Sequence, residues 1–388
     1  MPDDDDDDGG GAEPVNGLGD GPPVPRDDDA SDADLQALAA WLSTQFVAEV
    51  TIAEASRPEG AGHSNETWLV TAQVRDSHDR RLVVRLQPTG VGVFPEYRLD
   101  HQVRCMQALG TTTIPAPVVT GFEPDPTPLG RPFYVMERID GVVPPDYPPY
   151  TLAGWFLDAP GEDQAAVYAS SLATLAALHT FDPFEAGFGF LVPHGLRTEQ
   201  DCLDHQLRYW RSYLDEFLAE IGPHPVLTPG LEWLVANRPA SDRPARLNWG
   251  DARISNMIFR DNAPVAVIDW EMASLGAPEV DLAWYTWLEH FFAEGIGFPY
   301  LPGYPGEKGA IALYEAAAGR SVEAFEWHTM FAGVRYAAIL ARIAAMRIAN
   351  GELTLDDGQR AARNNPNTRR LASLLDLPSP GEPGGPFG

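Results

Sequence analysis

Asp251, Asn256 and Asp269 are the residues of this chain whose types and spacing most clearly suit chemistry. They stand in "LNWGDARISNMIF" and "VAVIDW". Between them "NMIFRDNAPVAVIDW" reads as a short hairpin turning at residues 261–264, so closing the turn brings two carboxylates and an amide oxygen towards one point. Oxygen ligands of this kind suit Mg²⁺, which one or two carboxylates hold while substrate phosphates and water complete the shell. Taken singly, either Asp could equally cap a turn or end a strand. The combined pattern is more specific than its parts.

The surrounding elements have to position these groups. "SDADLQALAAWLSTQF" reads as a helix capped by Ser31 or Asp32, with Leu35, Leu38, Leu42 and Phe46 at helical spacing. Three alternating strands follow, in "EVTIAEAS", "TWLVTAQV" and "RRLVVRL". Next comes a helix opening at Pro95 and stopping at Gly110, then strands in "APVVTGFEP" and "RPFYVMERIDG". Beyond the bend "VVPPDYPPY" the apolar spacing is mostly helical, interrupted by the hairpin. The expected class is α+β, with a small antiparallel sheet lobe ahead of a larger helical one. The expected divisions are a disordered acidic leader over 1–32, lobes over 33–138 and 139–376, and a disordered tail over 377–388.

"WGDARISN" together with "VIDWEMASLGAPEVDLAW" resembles the catalytic and metal-binding loops of the aminoglycoside phosphotransferase and choline kinase family, within the protein-kinase-like fold. "YRLDHQ", "LGRPFYVMERIDG" and "VPPDYPPY" add a likeness to bacterial phosphotransferases related to the kinase domains fused to acyl-CoA dehydrogenases. The likeness runs from about residue 50 to 350. It implies that Asp251 is the catalytic base and that Asn256 and Asp269 hold Mg²⁺ against the phosphates of ATP. Arg253 could approach the transferred phosphoryl group or neutralise Asp251. In "EGAGHSNET", Gly60 and Gly62 permit close backbone approach, and Ser64 and Asn65 offer donors, as in a lid over phosphates.

Arg85 in "LVVRLQP" stands where kinases carry a lysine, and Lys308 is the only lysine of the chain. An arginine there can grip phosphate bidentately. Its helix partner would be Gln102, or Glu96 one and a half turns earlier. The backbone of Met136, Glu137 and Arg138 matches the hinge that receives adenine. Trp249 replaces the family's bracing His with an apolar body and one donor. Asp281 would brace the loop, and Glu271 would stand behind it or face solvent. His179 would be a helix-end residue, and Trp284, Tyr285 and Trp287 core unless one of them lines the acceptor pocket; Arg335, Arg342 and Arg347 would be snorkelling surface arginines or, as the alternative, would meet an acidic substrate.

The implied activity is transfer of the γ-phosphoryl group of ATP to a hydroxyl of a small molecule; the alternative is a catalytically weak pseudokinase that binds nucleotide. The formal net charge of −29 over 388 residues argues against nucleic acid or an anionic membrane as partner. The sequence offers no basic-then-apolar leader, and Arg342 interrupts "YAAILARIAAM", so a cytoplasmic location without membrane contact is expected. Cys105 and Cys202 have neither metal nor disulfide spacing. The oligomeric state is not encoded in any feature of the sequence.

Overall fold

The structure is a computed structural model that describes residues 30–58, 66–90 and 92–381. Gly60, Gly62, Ser64 and Asn65 of the expected phosphate lid lie outside the described residues.

Helix α1 (Asp32–Phe46) starts at a capping box in which Ser31 and Asp34 satisfy each other's backbone N–H groups. Strands β1 (Val50–Ser56), β2 (Glu66–Val74) and β3 (Arg80–Leu86), helix α2 (Leu99–Leu109), and strands β4 (Val119–Glu123) and β5 (Phe133–Glu137) complete the small lobe. The sheet order is β1-β2-β3-β5-β4, with every pair antiparallel. Strand alternation divides its faces. Trp68, Val70, Leu82, Val84 and Val135 join Leu38, Trp41 and Leu42 of α1 in one core, while Tyr134 and Met136 face the other way into the core shared with the helical lobe. On that second face Thr67, Arg85 and Tyr134 lie in one register row across β2, β3 and β5.

Helix α2 begins at Leu99, four residues later than Pro95 suggests. The backbone ahead of it is bound by other groups: Tyr97 Oη accepts from Val93 N–H, Tyr213 Oη donates to Val93 O, and Arg342 Nε donates to Gly92 O. Glu96 is therefore an exposed loop residue, not a helix partner for Arg85.

The large lobe contains helices α3 (Trp155–Asp158), α4 (Gly161–Leu178), α5 (Glu199–Ile221) and α6 (Leu227–Ala236), followed by β6 (Arg246–Asn248), β7 (Met257–Arg260), β8 (Ala263–Val267) and β9 (Ser274–Gly276). Helices α7 (Glu279–Phe291), α8 (Gly306–Ala318), α9 (Phe325–Ala349), α10 (Leu355–Arg363) and α11 (Pro366–Leu374) follow. Asp261 and Asn262, both at positive φ, make the two-residue turn between β7 and β8. By length and hydropathy α9 could cross a membrane, yet most of it is buried within the lobe. Arg335 and Arg342 are buried with it, contrary to the surface placement expected of them, because α9 is enclosed on all sides and their side chains end on the backbone carbonyls of Gly250 and Gly92. Arg347 alone of the three reaches partly into solvent, against Glu352.

Glu289 of α7 is buried, and Tyr168 Oη donates to its Oε2 at 3.0 Å. Burial raises its pKa to about 8, against the opposing hydrogen bonds of Tyr150 and Tyr168. An unfolded glutamate releases its proton near about pH 4.3, so between there and the raised native value the folded chain binds more protons and stability falls as pH rises. Thermal melts should show a Glu289→Gln variant gaining on the wild type as pH rises from about 5 to about 8, with the gain levelling off above that and little difference near about pH 4.

Candidate active site

Two short strand pairs fix the site. β6 leads into residues 249–256 and pairs with β9, which follows residues 268–273, so both loops spring from one ladder. The hairpin β7–β8 closes the other side, and Ile268 N–H donates to Asn256 O at 3.0 Å. The pair β6–β9 is not among the strands expected from the sequence; strands of three residues carry no periodic signal.

Asp251 and Asn256 bond directly, and Asp269 follows Ile268, whose N–H lies on Asn256 O. Asp251 Oδ2 accepts from Asn256 Nδ2 at 2.7 Å and from Arg253 Nε at 3.0 Å, and Oδ1 accepts from Trp284 Nε1 at 2.8 Å. Arg253 thus pairs with the carboxylate of Asp251, and its Nη1 reaches Asp146 Oδ2 at 2.5 Å. Burial would lower the pKa of Arg253, but the carboxylates of Asp146, Asp251 and Asp269 outweigh it and raise the value. Asp146 sits 107 residues before Arg253 in the proline-rich bend, and nothing in its local sequence marks it for this contact. Trp284, expected in the core, is buried and turns its indole N–H to Asp251.

Trp249 is fully buried. Its indole N–H donates to Ile268 O at 2.9 Å and Asp269 O at 3.2 Å, pinning the backbone where Asp269 adopts φ +61°. The apolar body and single donor expected of a brace are both in use. Asp281, at the start of α7, accepts from the backbone N–H groups of Trp249 at 2.7 Å and Gly250 at 2.9 Å, and its Oδ2 also lies 3.1 Å from His179 Nε2. His179 does end α4, and its other ring nitrogen meets Tyr314 Oη at 2.7 Å. A chain from Tyr314 through His179 and Asp281 therefore supports the loop that carries Asp251.

Arg85 lies on the cleft face of the sheet. Its Nη1 donates to Thr67 Oγ1 at 3.3 Å, and its Nη2 is 3.6 Å from Asp269 Oδ2. Burial lowers its pKa, but Tyr134, Asp269 and Glu271 raise it further. Gln102 does not bond to Arg85 as expected. Its Oε1 accepts from Tyr134 Oη at 3.1 Å, and Tyr134 is the residue paired with Arg85 across the strands. Within the expected hinge, Glu137 N–H already donates to Val118 O and Arg138 N–H to Arg81 O, so those two N–H groups are committed within the sheet. Met136 is buried on the cleft side.

The donor set fits a phosphate-bound cation. Asp269 Oδ1 is buried without a hydrogen-bond partner, as are Nε and Nη2 of Arg85. The amide nitrogen of Asn256 is committed to Asp251, which turns its oxygen away for another ligand. A carboxylate oxygen and two guanidinium nitrogens beside it, all without hydrogen-bond partners, match a cation and an anion arriving together.

The 28% identity with acyl-CoA dehydrogenase family member 10 of Mus musculus extends over 245 residues, which are 63% of this chain and 21% of the mouse protein. The chain thus spans about a fifth of that relative's length. A crystal structure from Ralstonia eutropha JMP134, provisionally assigned as an aminoglycoside phosphotransferase, is similar with TM-score 0.65 and 24% identity, covering 88% of this chain and 98% of that one. Macrolide 2′-phosphotransferase from Brachybacterium faecium is similar with TM-score 0.53 and 18% identity, covering 85% and 98%. Both share the two-lobe, protein-kinase-like α+β fold described above. The profile of the phosphotransferase enzyme family matches residues 56–326, which take in parts of both lobes and every site residue just described, and the chain belongs to that family.

Proposed function

We propose that the chain is an ATP- and Mg²⁺-dependent kinase that transfers the γ-phosphoryl group of ATP to a hydroxyl of a small molecule. Compatible acceptors are aminoglycoside-, sugar-, amino-alcohol- and hydroxyacyl-type compounds. The reading rests on the convergence of Asp251, Asn256 and Asp269 beneath a sheet that presents Arg85. Mg²⁺, held by Asn256 and Asp269, would neutralise phosphate charge. Arg85 would grip phosphate oxygens with its buried Nε and Nη2, which have no hydrogen-bond partner. Asp251 would orient the acceptor hydroxyl and take its proton on a carboxylate oxygen. Arg253, held between Asp146 and Asp251, keeps Nη2 for the reacting groups, since among the described residues only Nε and Nη1 have partners.

A second reading, a nucleotide-binding protein without transfer, is favoured by one observation: Arg85 replaces the lysine and leans on Asp269. ADP release measured against a panel of hydroxyl compounds separates the two. Acceptor-dependent release, with Mg·ATP binding lost in an Asp269→Ala variant, is the expected result. Thermal stabilisation by ATP without Mg²⁺, and no release with any acceptor, would support the second reading.

A further inference from the structure

Behind the base loop lies a charge that phosphoryl transfer as proposed does not use. Arg335, in the middle of α9, is 2% exposed. Its Nη2 donates to Gly250 O at 2.8 Å, while Nε and Nη1 are buried without hydrogen-bond partners. Rings take the place of a carboxylate partner: the guanidinium carbon lies 4.5 Å from the centroid of Trp284, 5.4 Å from Trp210 and 5.5 Å from Phe331. Burial lowers its pKa to about 10, held there by Asp281, Asp251 and Tyr209, so the group stays charged at neutral pH. Burying a cation this way is unfavourable, and a well-packed apolar side chain of similar volume would often be as stable or more so.

We propose that Arg335 is a positioning residue for Asp251, acting by two routes. The first is the backbone. Gly250 is at φ +93°, with its N–H on Asp281 Oδ1 and its C=O on Arg335, so α7 and α9 fix the two peptides that precede the side chain of Asp251. The second is the indole. A cation over the face of Trp284 draws π density towards itself, which polarises the indole N–H. That N–H holds Asp251 Oδ1 at 2.8 Å. The charge of Arg335 is thereby transmitted to the base without contact with substrate.

The inference rests on the reading of Asp251 as the base, and its test uses the full chain with Arg335→Met and Arg335→Lys. The Met variant should melt at or above the wild-type temperature and bind Mg·ATP normally, yet turn over about 10- to 100-fold more slowly, the range typical of groups that orient a reacting residue. The Lys variant, which keeps the charge, should recover part of that loss. The indole N–H resonance of Trp284, identified by its disappearance in Trp284→Phe, should move upfield and exchange faster in the Met variant. An unmoved indole resonance overturns the proposal, as does a Met variant with wild-type turnover. So does a turnover loss that merely tracks loss of fold. If the wild type releases no ADP with any acceptor, the phosphotransfer reading fails, and the indole resonance still decides whether Arg335 acts on the hydrogen bond to Asp251.

Discussion

An Asp251→Asn variant is expected to lose about 10²- to 10⁴-fold in turnover while still binding Mg·ATP, the range a positioned proton acceptor contributes. The geometry makes this substitution informative. Two donors, Arg253 Nε and Asn256 Nδ2, converge on Oδ2, and one donor, Trp284 Nε1, meets Oδ1. The new amide would turn its oxygen to the pair of donors and set its NH₂ against the indole N–H. The loop is then retained at the cost of one unmade hydrogen bond, about 1–3 kcal/mol. Proton acceptance is lost outright, because a neutral amide cannot take the hydroxyl proton. Stopped assays with the acceptor found by ADP release, together with calorimetric titration of Mg·ATP, would check the two halves separately. Wild-type turnover in this variant would remove Asp251 from the role of base.

The reason this triad can be read in the sequence is local. Asp251 and Asn256 are five apart, and one hairpin of period-two residues folds Asp269 back beside them. The small sheet is legible for the same cause: its strands alternate, and the alternation also sets Arg85 beside Thr67 and Tyr134. What is illegible depends on distant contacts. Asp146 becomes part of the site only when the bend before α3 folds against Arg253. Arg335 and Arg342 lie on a helix whose apolar spacing suggests an exposed arginine face, yet α9 is enclosed by α5, α6, α7, α10 and α11. Register matches Gln102 to Arg85, but the hydroxyl of Tyr134 reaches it instead. Each difference arises where a side chain's partner lies in another element, from 32 residues away for Tyr134 to 250 for Gly92.

Gly250 carries the largest expected effect on stability. Its φ of +93° is a conformation that an L-residue adopts at a penalty of about 1–2 kcal/mol. A methyl group there would also lie 2.0 Å from Met272 O and 2.4 Å from Met272 C, both backbone atoms, so no side-chain rotation relieves the contact. Overpacking of this kind adds about 1–3 kcal/mol, giving roughly 2–5 kcal/mol for Gly250→Ala. Residue 272 belongs to the loop that begins at Asp269, so the displacement should weaken Mg·ATP binding together with the fold. Gly297→Ala separates the two contributions. Gly297 has φ +88°, and a methyl group on it would meet nothing within 4 Å, so it bears the conformational penalty without the clash. Paired thermal melts and nucleotide titrations should find Gly250→Ala less stable and weaker in Mg·ATP binding, and Gly297→Ala only modestly less stable with binding intact. Equal melting temperatures would mean that Met272 yields freely, and that the loop bearing Asp269 is not held by its approach to Gly250.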